Sequence, residues 1–206
     1  MSAGIVAVDE LSRAYQAAIG GEFRTGHRTR GRLVSGGSEW SPAAGEQIVV
    51  VVGSLGGAGA STVALGLAAA AGTARVVECC TVAASGLAGA SSAELGTTAD
   101  AWVQGSREKV LIERRSDRIE GPSRCPAPTA MTMALTILDC AWDVDLLTAD
   151  AGWLGTTVRE APVVVAVTRP TIPGLRRLEA NLGQLGARRT LAVVVGVEKR
   201  WPRPVE

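Results

Sequence analysis

The sequence predicts an α/β fold with a mainly parallel sheet of about six strands. Three observations lead to this prediction. Runs of β-branched residues recur along the chain without polar alternation, as expected for strands buried on both faces. Segments that favour helix follow several of these runs, and strands that alternate with helices form parallel sheets. Apolar residues make up 47% of the 206 residues, enough for the core of one domain.

The first strand is predicted at 47–53, QIVVVVG, and the helix after it at 61–72, STVALGLAAAAG, which ends at a glycine. Five further strands are predicted, at 74–80, 109–115, 134–140, 161–170 and 189–197. The third strand in order, KVLIERR, alternates more than the others and is expected nearer an edge. An amphipathic helix is predicted over 174–186 from its leucine spacing: Leu175, Leu178, Leu182 and Leu185.

Two stretches, 87–108 and 116–133, show no clear periodicity, and the second contains the proline-rich sequence GPSRCPAPTA. Ligands of parallel α/β sheets bind at the carboxyl ends of the strands. We therefore expect the functional residues to follow the strands. The segments in question are 53–62, 79–86, 139–145, 168–173 and 196–201.

Residues 1–45 are predicted to form a flexible basic tail, and residues 46–206 the folded domain. The tail mixes Gly, Ser and Arg with few apolar residues, which is typical of a linker. Its basic cluster consists of Arg24, Arg28, Arg30 and Arg32. We interpret the cluster as solvated, and the alternative is a contact with DNA, lipid or an acidic protein. A net charge of +1 gives the whole chain no attraction to nucleic acid.

No membrane span and no secretory signal are predicted, and a cytoplasmic location is expected. Residues 48–74 carry no charge over a length that would cross a bilayer, but their central glycines and hydroxyl residues favour strand, loop and helix. The start, MSAGIVAVDE, lacks a basic region followed by a long apolar one.

C-x-x-C spacing is absent among the cysteines, which favours buried thiols over a zinc site. The four cysteines are Cys79, Cys80, Cys125 and Cys140.

The sequence GSLGGAGAST, residues 53–62, has the character of a phosphate-binding loop between a strand and a helix. In such loops glycines turn successive backbone N–H groups towards the phosphates, and the following helix adds its positive N-terminus. A lysine then reaches the β- and γ-phosphates, and a Ser or Thr hydroxyl holds Mg²⁺. Ser61 and Thr62 stand where the hydroxyls belong, but Ala60 occupies the position of the lysine.

Gly-Gly-x-Gly-x-Ser/Thr after a valine-rich strand resembles the deviant Walker A loop of the ParA/MinD superfamily. That family has one lysine before the glycine pair and another after the last glycine, where this sequence has Leu55 and Ala60. GGAGAST looks most like the CpaE/TadZ branch and related septum-site proteins. The resemblance covers about residues 47–200 and implies a P-loop NTPase-like sandwich.

Other strands extend the resemblance. RVVECC is similar to the family's second strand, which ends in Asp-x-Asp, but Glu78 and Cys80 stand at those positions. LTILDC resembles the Walker B strand, with Asp139 as the carboxylate that reaches Mg²⁺ through water. The strand 161–170 resembles the one that leads into a Thr-x-Pro turn. After LAVVVGV the family's adenine-reading Asn is absent, and Gly196 begins that segment instead.

The resemblance implies a spatial positioning or partitioning factor that binds ATP with Mg²⁺, contacts a protein partner and can form a homodimer. The loop residues that would line the phosphates are Gly56, Gly57, Ala58, Gly59, Ala60, Ser61 and Thr62. Ser61 and Asp139 would support Mg²⁺. Arg169, just past a strand, is the candidate within the chain to replace the lysine, and an arginine from a dimer partner is the other.

The missing lysines predict weak ATP binding and at most slow hydrolysis. The alternative is a pseudo-ATPase, a nucleotide-free scaffold for protein–protein contacts. In "DCAWDVD" the acids Asp139, Asp143 and Asp145 are interpreted as one Walker B carboxylate with loop acids rather than a metal cluster. The single histidine, His27, gives no catalytic triad.

A second alternative is an NAD-binding Rossmann domain. Gly53, Gly56 and Gly59 form G-x-x-G-x-x-G, and Glu78 follows about twenty residues on, where an acid holds the ribose. The only tyrosine is Tyr15, in the tail, so the Tyr-x-x-x-Lys pair of short-chain dehydrogenases is absent.

Overall fold

The computed structural model describes residues 39–81, 84, 86–98, 100–185 and 190–196, all within the unit Ser35–Glu206. The predicted arginine cluster of the tail, His27 and Tyr15 lie outside the described residues. Trp40, which we placed in the tail, packs edge-on against Trp153 with ring centroids 5.2 Å apart. The packed part of the chain therefore begins before the predicted boundary at residue 46.

The described residues form one eight-stranded sheet with the order β3-β4-β5-β2-β6-β1-β7-β8. In chain order the strands are β1 (Gln47–Gly53), β2 (Ala74–Cys79), β3 (Ala93–Thr97), β4 (Trp102–Arg107), β5 (Val110–Arg115), β6 (Leu135–Cys140), β7 (Val163–Thr168) and β8 (Thr190–Val194). The helices are α1 (Ala60–Ala71), α2 (Val144–Ala149), α3 (Trp153–Glu160) and α4 (Ile172–Leu185).

The six predicted strands and both predicted helices are present, and the six strands pair in parallel. The mainly parallel sheet is therefore confirmed, but the strand count is wrong by two. The missed strands β3 and β4 are antiparallel and lie in the stretch without periodicity. Every residue of β3 is exposed, so no hydrophobic pattern marks it. β5, expected nearer an edge, is one of the two outermost parallel strands, with β8 at the other side, and has β3 and β4 beyond it.

Helices cover the two faces of the sheet unequally. α1 packs against one face through Ala64 and Ala68, whose small side chains let the helix approach the strands closely. α2, α3 and α4 cover the other face, where Leu147, Leu154 and Leu178 are buried. We missed α2 and α3 because helices of six and eight residues are too short to show a period. No helix among the described residues has the length and hydrophobicity to cross a bilayer.

The strand order decides between the two α/β folds considered above. In the dinucleotide-binding fold, with order 3-2-1-4-5-6, the first two strands are neighbours. Here β6 lies between β1 and β2, and pairs in parallel with both. The sheet is thus that of a P-loop NTPase-like sandwich, and the Rossmann alternative does not fit it.

A buried ionic cluster lies at the amino ends of the central strands. Arg75, which is fully buried, donates to Glu46 at 3.1 Å, to Glu113 at 3.5 Å and to the Thr136 hydroxyl at 3.0 Å. Gln104 donates to the other carboxylate oxygen of Glu113 at 2.8 Å. The cluster joins the segment before β1 to β2, β4, β5 and β6. A buried charge without its partner is strongly destabilising, so the cluster fixes how these strands are arranged.

We predict that Arg75→Met lowers the free energy of unfolding by about 3–5 kcal/mol, because it leaves two buried carboxylates without a cation. Urea denaturation of the purified variant measures this loss. Arg114→Met is the matched control, since its pair with the exposed Glu94 should contribute no more than about 1 kcal/mol. Equal losses in the two variants would contradict a special role for the buried cluster.

Candidate functional site

The loop between β1 and α1 turns through two glycines in left-handed conformations, Gly57 at φ 71° and Gly59 at φ 96°. Residues with a Cβ rarely adopt such angles, so these two positions require glycine. Gly59 is the N-cap of α1, and its carbonyl accepts the first helical hydrogen bond, from Val63 at 2.9 Å. The N–H groups of the first turn of α1 have no carbonyl within the helix to bond. They are therefore available to an anion.

Neighbouring strands fix the position of the loop. The Ser54 N–H donates to the Val167 carbonyl of β7 at 2.8 Å. A Cβ on Gly59 would lie 3.3 Å from Val195, just past β8, so the turn is packed closely against that strand end. Within the loop, the Ala58 N–H donates to the Leu55 carbonyl at 3.2 Å, and Ala58 is buried in the core. Ala58 therefore shapes the loop, and its N–H is already engaged.

A cavity of about 810 Å³ opens above this loop, within the usual size of a small-molecule site. Its lining joins the carboxyl ends of four parallel strands: β1, β2, β6 and β7. The residues of the lining are Gly53, Leu55, Gly56, Gly57, Ala58, Gly59, Ala60, Ser61, Thr62, Ala84, Gly86, Asp139, Ala141, Trp142, Asp143, Leu146, Arg169 and Arg177. The structure thus brings together all the sequence-predicted loop residues with Asp139 and Arg169.

Arg169 follows β7 and extends over the loop. Its Nε donates to the Gly57 carbonyl at 3.0 Å, and the side chain is exposed. This bond holds a guanidinium beside the turn where the phosphates of a ligand would lie. That Arg169 replaces the loop lysine stays a prediction.

Asp139 lies at the end of β6, almost fully buried, and faces the helix α1. Burial is the main cause that raises the pKa of its carboxyl to about 7, and the Glu78 charge adds to the effect, while a hydrogen bond with the Ser61 hydroxyl opposes it. Its Oδ1 has no hydrogen-bond partner among the described residues. Ser61 and Asp139, the two predicted Mg²⁺ residues, are therefore neighbours.

These two residues fit a magnesium site of the P-loop kind. A buried carboxylate oxygen without a partner is the acceptor that a metal-bound water would satisfy, and Mg²⁺ keeps several waters when one or two side chains and phosphates hold it. The described residues contain no group of three acids, histidines or cysteines that could hold a metal without phosphate. Asp143 is the N-cap residue of α2, and Asp145 lies in the first turn of that helix. They are therefore not part of a metal cluster among the described residues.

Glu78, at the end of β2, is committed to the backbone. Its Oε1 accepts from the N–H groups of Gly86 at 2.8 Å and Leu87 at 2.9 Å, and Leu87 is fully buried. Gly86 is thereby packed against Ser61, where a Cβ would come within 2.7 Å of the Ser61 Cβ. Glu78 thus holds the loop that contains Gly86 against α1. Its Oε1, which the Rossmann interpretation assigned to a ribose, is bonded to that loop instead.

Two residues of the lining lie outside the segments predicted from the sequence: Leu146 on α2 and Arg177 on α4. Both lie on helices beyond the strand ends, and the expectation that ligands bind at the carboxyl ends of strands does not single out residues on helices. The spacing of Arg177 and Asn181, four residues apart on a predicted helix, was the available signal. The segment 197–201, predicted to contribute, lies outside the described residues. All four cysteines are free and buried, as expected.

No family model matches the chain, and no curated protein matches it. Among solved structures, the chain is similar to a "putative plasmid partition protein" from Borrelia burgdorferi B31, bound to AMPPNP. The two share 11% sequence identity with a TM-score of 0.49, over 78% of this chain and 76% of that one. The function proposed for this chain rests on the geometry of its own cavity.

We predict that Asp139→Asn stabilises the protein more at pH 8 than at pH 5. The folded-state pKa of about 7 lies above the unfolded value near 3.8, so between these values the folded state holds a proton that the unfolded state has released. Stability contributed by the protonated carboxyl is therefore lost as pH rises through this window, at up to about 1.4 kcal/mol per pKa unit. Asparagine does not titrate.

Urea denaturation of wild type and Asp139→Asn at both pH values measures the effect. The difference in unfolding free energy between the two proteins should grow from pH 5 to pH 8. A difference that stays the same at both pH values would contradict the raised pKa of Asp139.

Proposed function

We propose that this chain is a ParA/MinD-like nucleotide-binding protein that holds ATP weakly and hydrolyses it slowly or not at all. The observation that carries the proposal is the cavity above the β1–α1 turn, with Arg169 hydrogen-bonded to the loop at Gly57. The left-handed glycines and the free N-terminus of α1 supply a phosphate cradle that needs no side chain.

Backbone groups account for weak rather than absent binding. A charge-assisted contact from lysine to phosphate contributes about 1.5–3 kcal/mol, which corresponds to about ten- to a hundredfold in affinity. The N–H groups of the loop and the helix dipole remain in this chain, and Arg169 lies where one cation is missing. Ser61 and Asp139 would hold Mg²⁺, which when bound neutralises part of the phosphate charge.

Slow hydrolysis follows from the groups that are absent or engaged. Both lysine positions are apolar, at Leu55 and Ala60, so the charge that develops on the phosphates would lack its usual stabilisation. Of the two positions expected to carry water-positioning acids, Cys80 has no carboxylate and Glu78 is bonded to backbone N–H groups. The chain thus has a better-formed site for binding than for catalysis.

In the cell we propose a role as a positioning or partitioning factor in the cytoplasm that acts through a protein partner, with a homodimer as one arrangement. The resemblance of the loop and strands to the CpaE/TadZ branch supports this role. The alternative role is a pseudo-ATPase scaffold, favoured by the way Gly86 covers one side of Ser61. The arginine cluster of the tail is proposed as a secondary contact to DNA.

We predict that a fluorescent ATP analogue binds the purified protein at high micromolar concentration, and that Ala60→Lys tightens this binding about tenfold or more. Ala60 lines the cavity and stands where the family has its lysine. Titrations with and without Mg²⁺ measure both proteins, and NADH is the control ligand.

Each outcome separates the alternatives. Binding of ATP by wild type supports a slow nucleotide switch. Absence of binding in wild type and in Ala60→Lys would leave the scaffold, because the cradle itself would then be closed. Binding of NADH alone would contradict the P-loop assignment of the cavity.

A further inference from the structure

Arg177 on α4 lines the same cavity as the loop. We propose that Arg177 acts with Arg169 as a second phosphate-binding cation. One chain would then bind a polyphosphate ligand through two guanidinium groups in place of the lysines. The inference rests on the proposed function, since it names groups that bind the same ligand. It makes a cation from a dimer partner unnecessary for binding.

One face of α4 is held at two points, one at the end of β7 and one at the start of the loop. Gly174 lies against the end of β7, where a Cβ would be 2.7 Å from the Arg169 carbonyl oxygen. Seven residues later, the Asn181 side chain donates to the Ser54 hydroxyl at 3.3 Å, at the start of the loop. Arg177 is three residues from one anchor and four from the other, so it shares their face of the helix. Its place at the cavity is therefore fixed by the helix packing.

Both cavity arginines are available to a ligand. Among the described residues the ion pairs use Arg75, Arg114 and Arg115, and neither Arg169 nor Arg177 is paired with a carboxylate. Arg169 uses its Nε on the loop, which leaves its two terminal nitrogens for phosphate. Two unpaired cations beside one cavity repel each other, and an anion between them would relieve that repulsion.

The chemistry of these side chains suits a chain of phosphates. A guanidinium is planar, carries its charge at any physiological pH and presents paired N–H donors that match two phosphate oxygens. A lysine ammonium at the loop would act as a point charge on one position. Two arginines on the wall, with backbone N–H groups on the floor, contact a polyphosphate from two sides. We therefore expect inorganic tripolyphosphate to compete with ATP for this site.

The test compares three variants in the fluorescent ATP titration, with tripolyphosphate as competitor. Arg177→Gln should weaken both ligands about tenfold, because each loses the same charged contact. Arg177→Lys should recover part of the affinity. Arg176→Gln is the matched control, since Arg176 is exposed on the neighbouring position of α4 and does not line the cavity. It should change binding by no more than about twofold.

The outcomes distinguish this inference from the proposed function. If wild type binds both ligands and Arg177→Gln binds them equally well, the role of Arg177 is wrong while the nucleotide site stands. If Arg176→Gln weakens binding as much as Arg177→Gln, a general charge effect replaces the specific contact and overturns the inference. If wild type binds neither ligand, both the site and the inference fall.

Discussion

The site depends on one backbone constraint: the chain must leave a largely buried strand and begin a helix within seven residues. Left-handed angles at Gly57 and Gly59 make that turn, and a Cβ there would cost about 1–2 kcal/mol at each position. β1 lies between β6 and β7, so the turn opens beside the ends of both strands. Asp139 of β6 and Arg169 after β7 therefore line the same cavity as the loop.

The loop turns as a phosphate-binding loop would, while the cations that line its cavity come from other elements. The positions where the ParA/MinD family has lysine hold Leu55 and Ala60, while cations from β7 and α4 line the cavity instead. Backbone N–H groups remain whatever side chain is present, proline excepted, so a cradle built from them does not need a lysine. The acids follow the same pattern. Glu78 stabilises a loop, and burial, with the Glu78 charge beside it, raises the pKa of Asp139.

Sequence patterns predicted the parts of this fold that are buried and regular. The continuous valine runs of β1 and β7 indicate buried strands, and the glycines of the loop indicate a tight turn. The exposed strand β3 and the short helices α2 and α3 were missed because they bury too little to leave a period. Of the lining, the loop, Asp139 and Arg169 were found from strand ends. Arg177 was missed because it lies eight residues past Arg169, on a helix that returns to the cavity. Only the packing of Gly174 and Asn181 shows that return.

The proposed function requires that backbone N–H groups at the start of α1 bind phosphate in the absence of lysine. Hydrogen–deuterium exchange of the loop amides, with and without saturating ATP, tests it most directly. The amides of residues 60–62, at the start of α1, lack partners within the helix and should exchange fast in the free protein. We expect ATP to slow exchange in peptides that cover residues 56–62 and leave the distant strand β3 unchanged. Unchanged exchange at 56–62 under saturating ATP would contradict the claim.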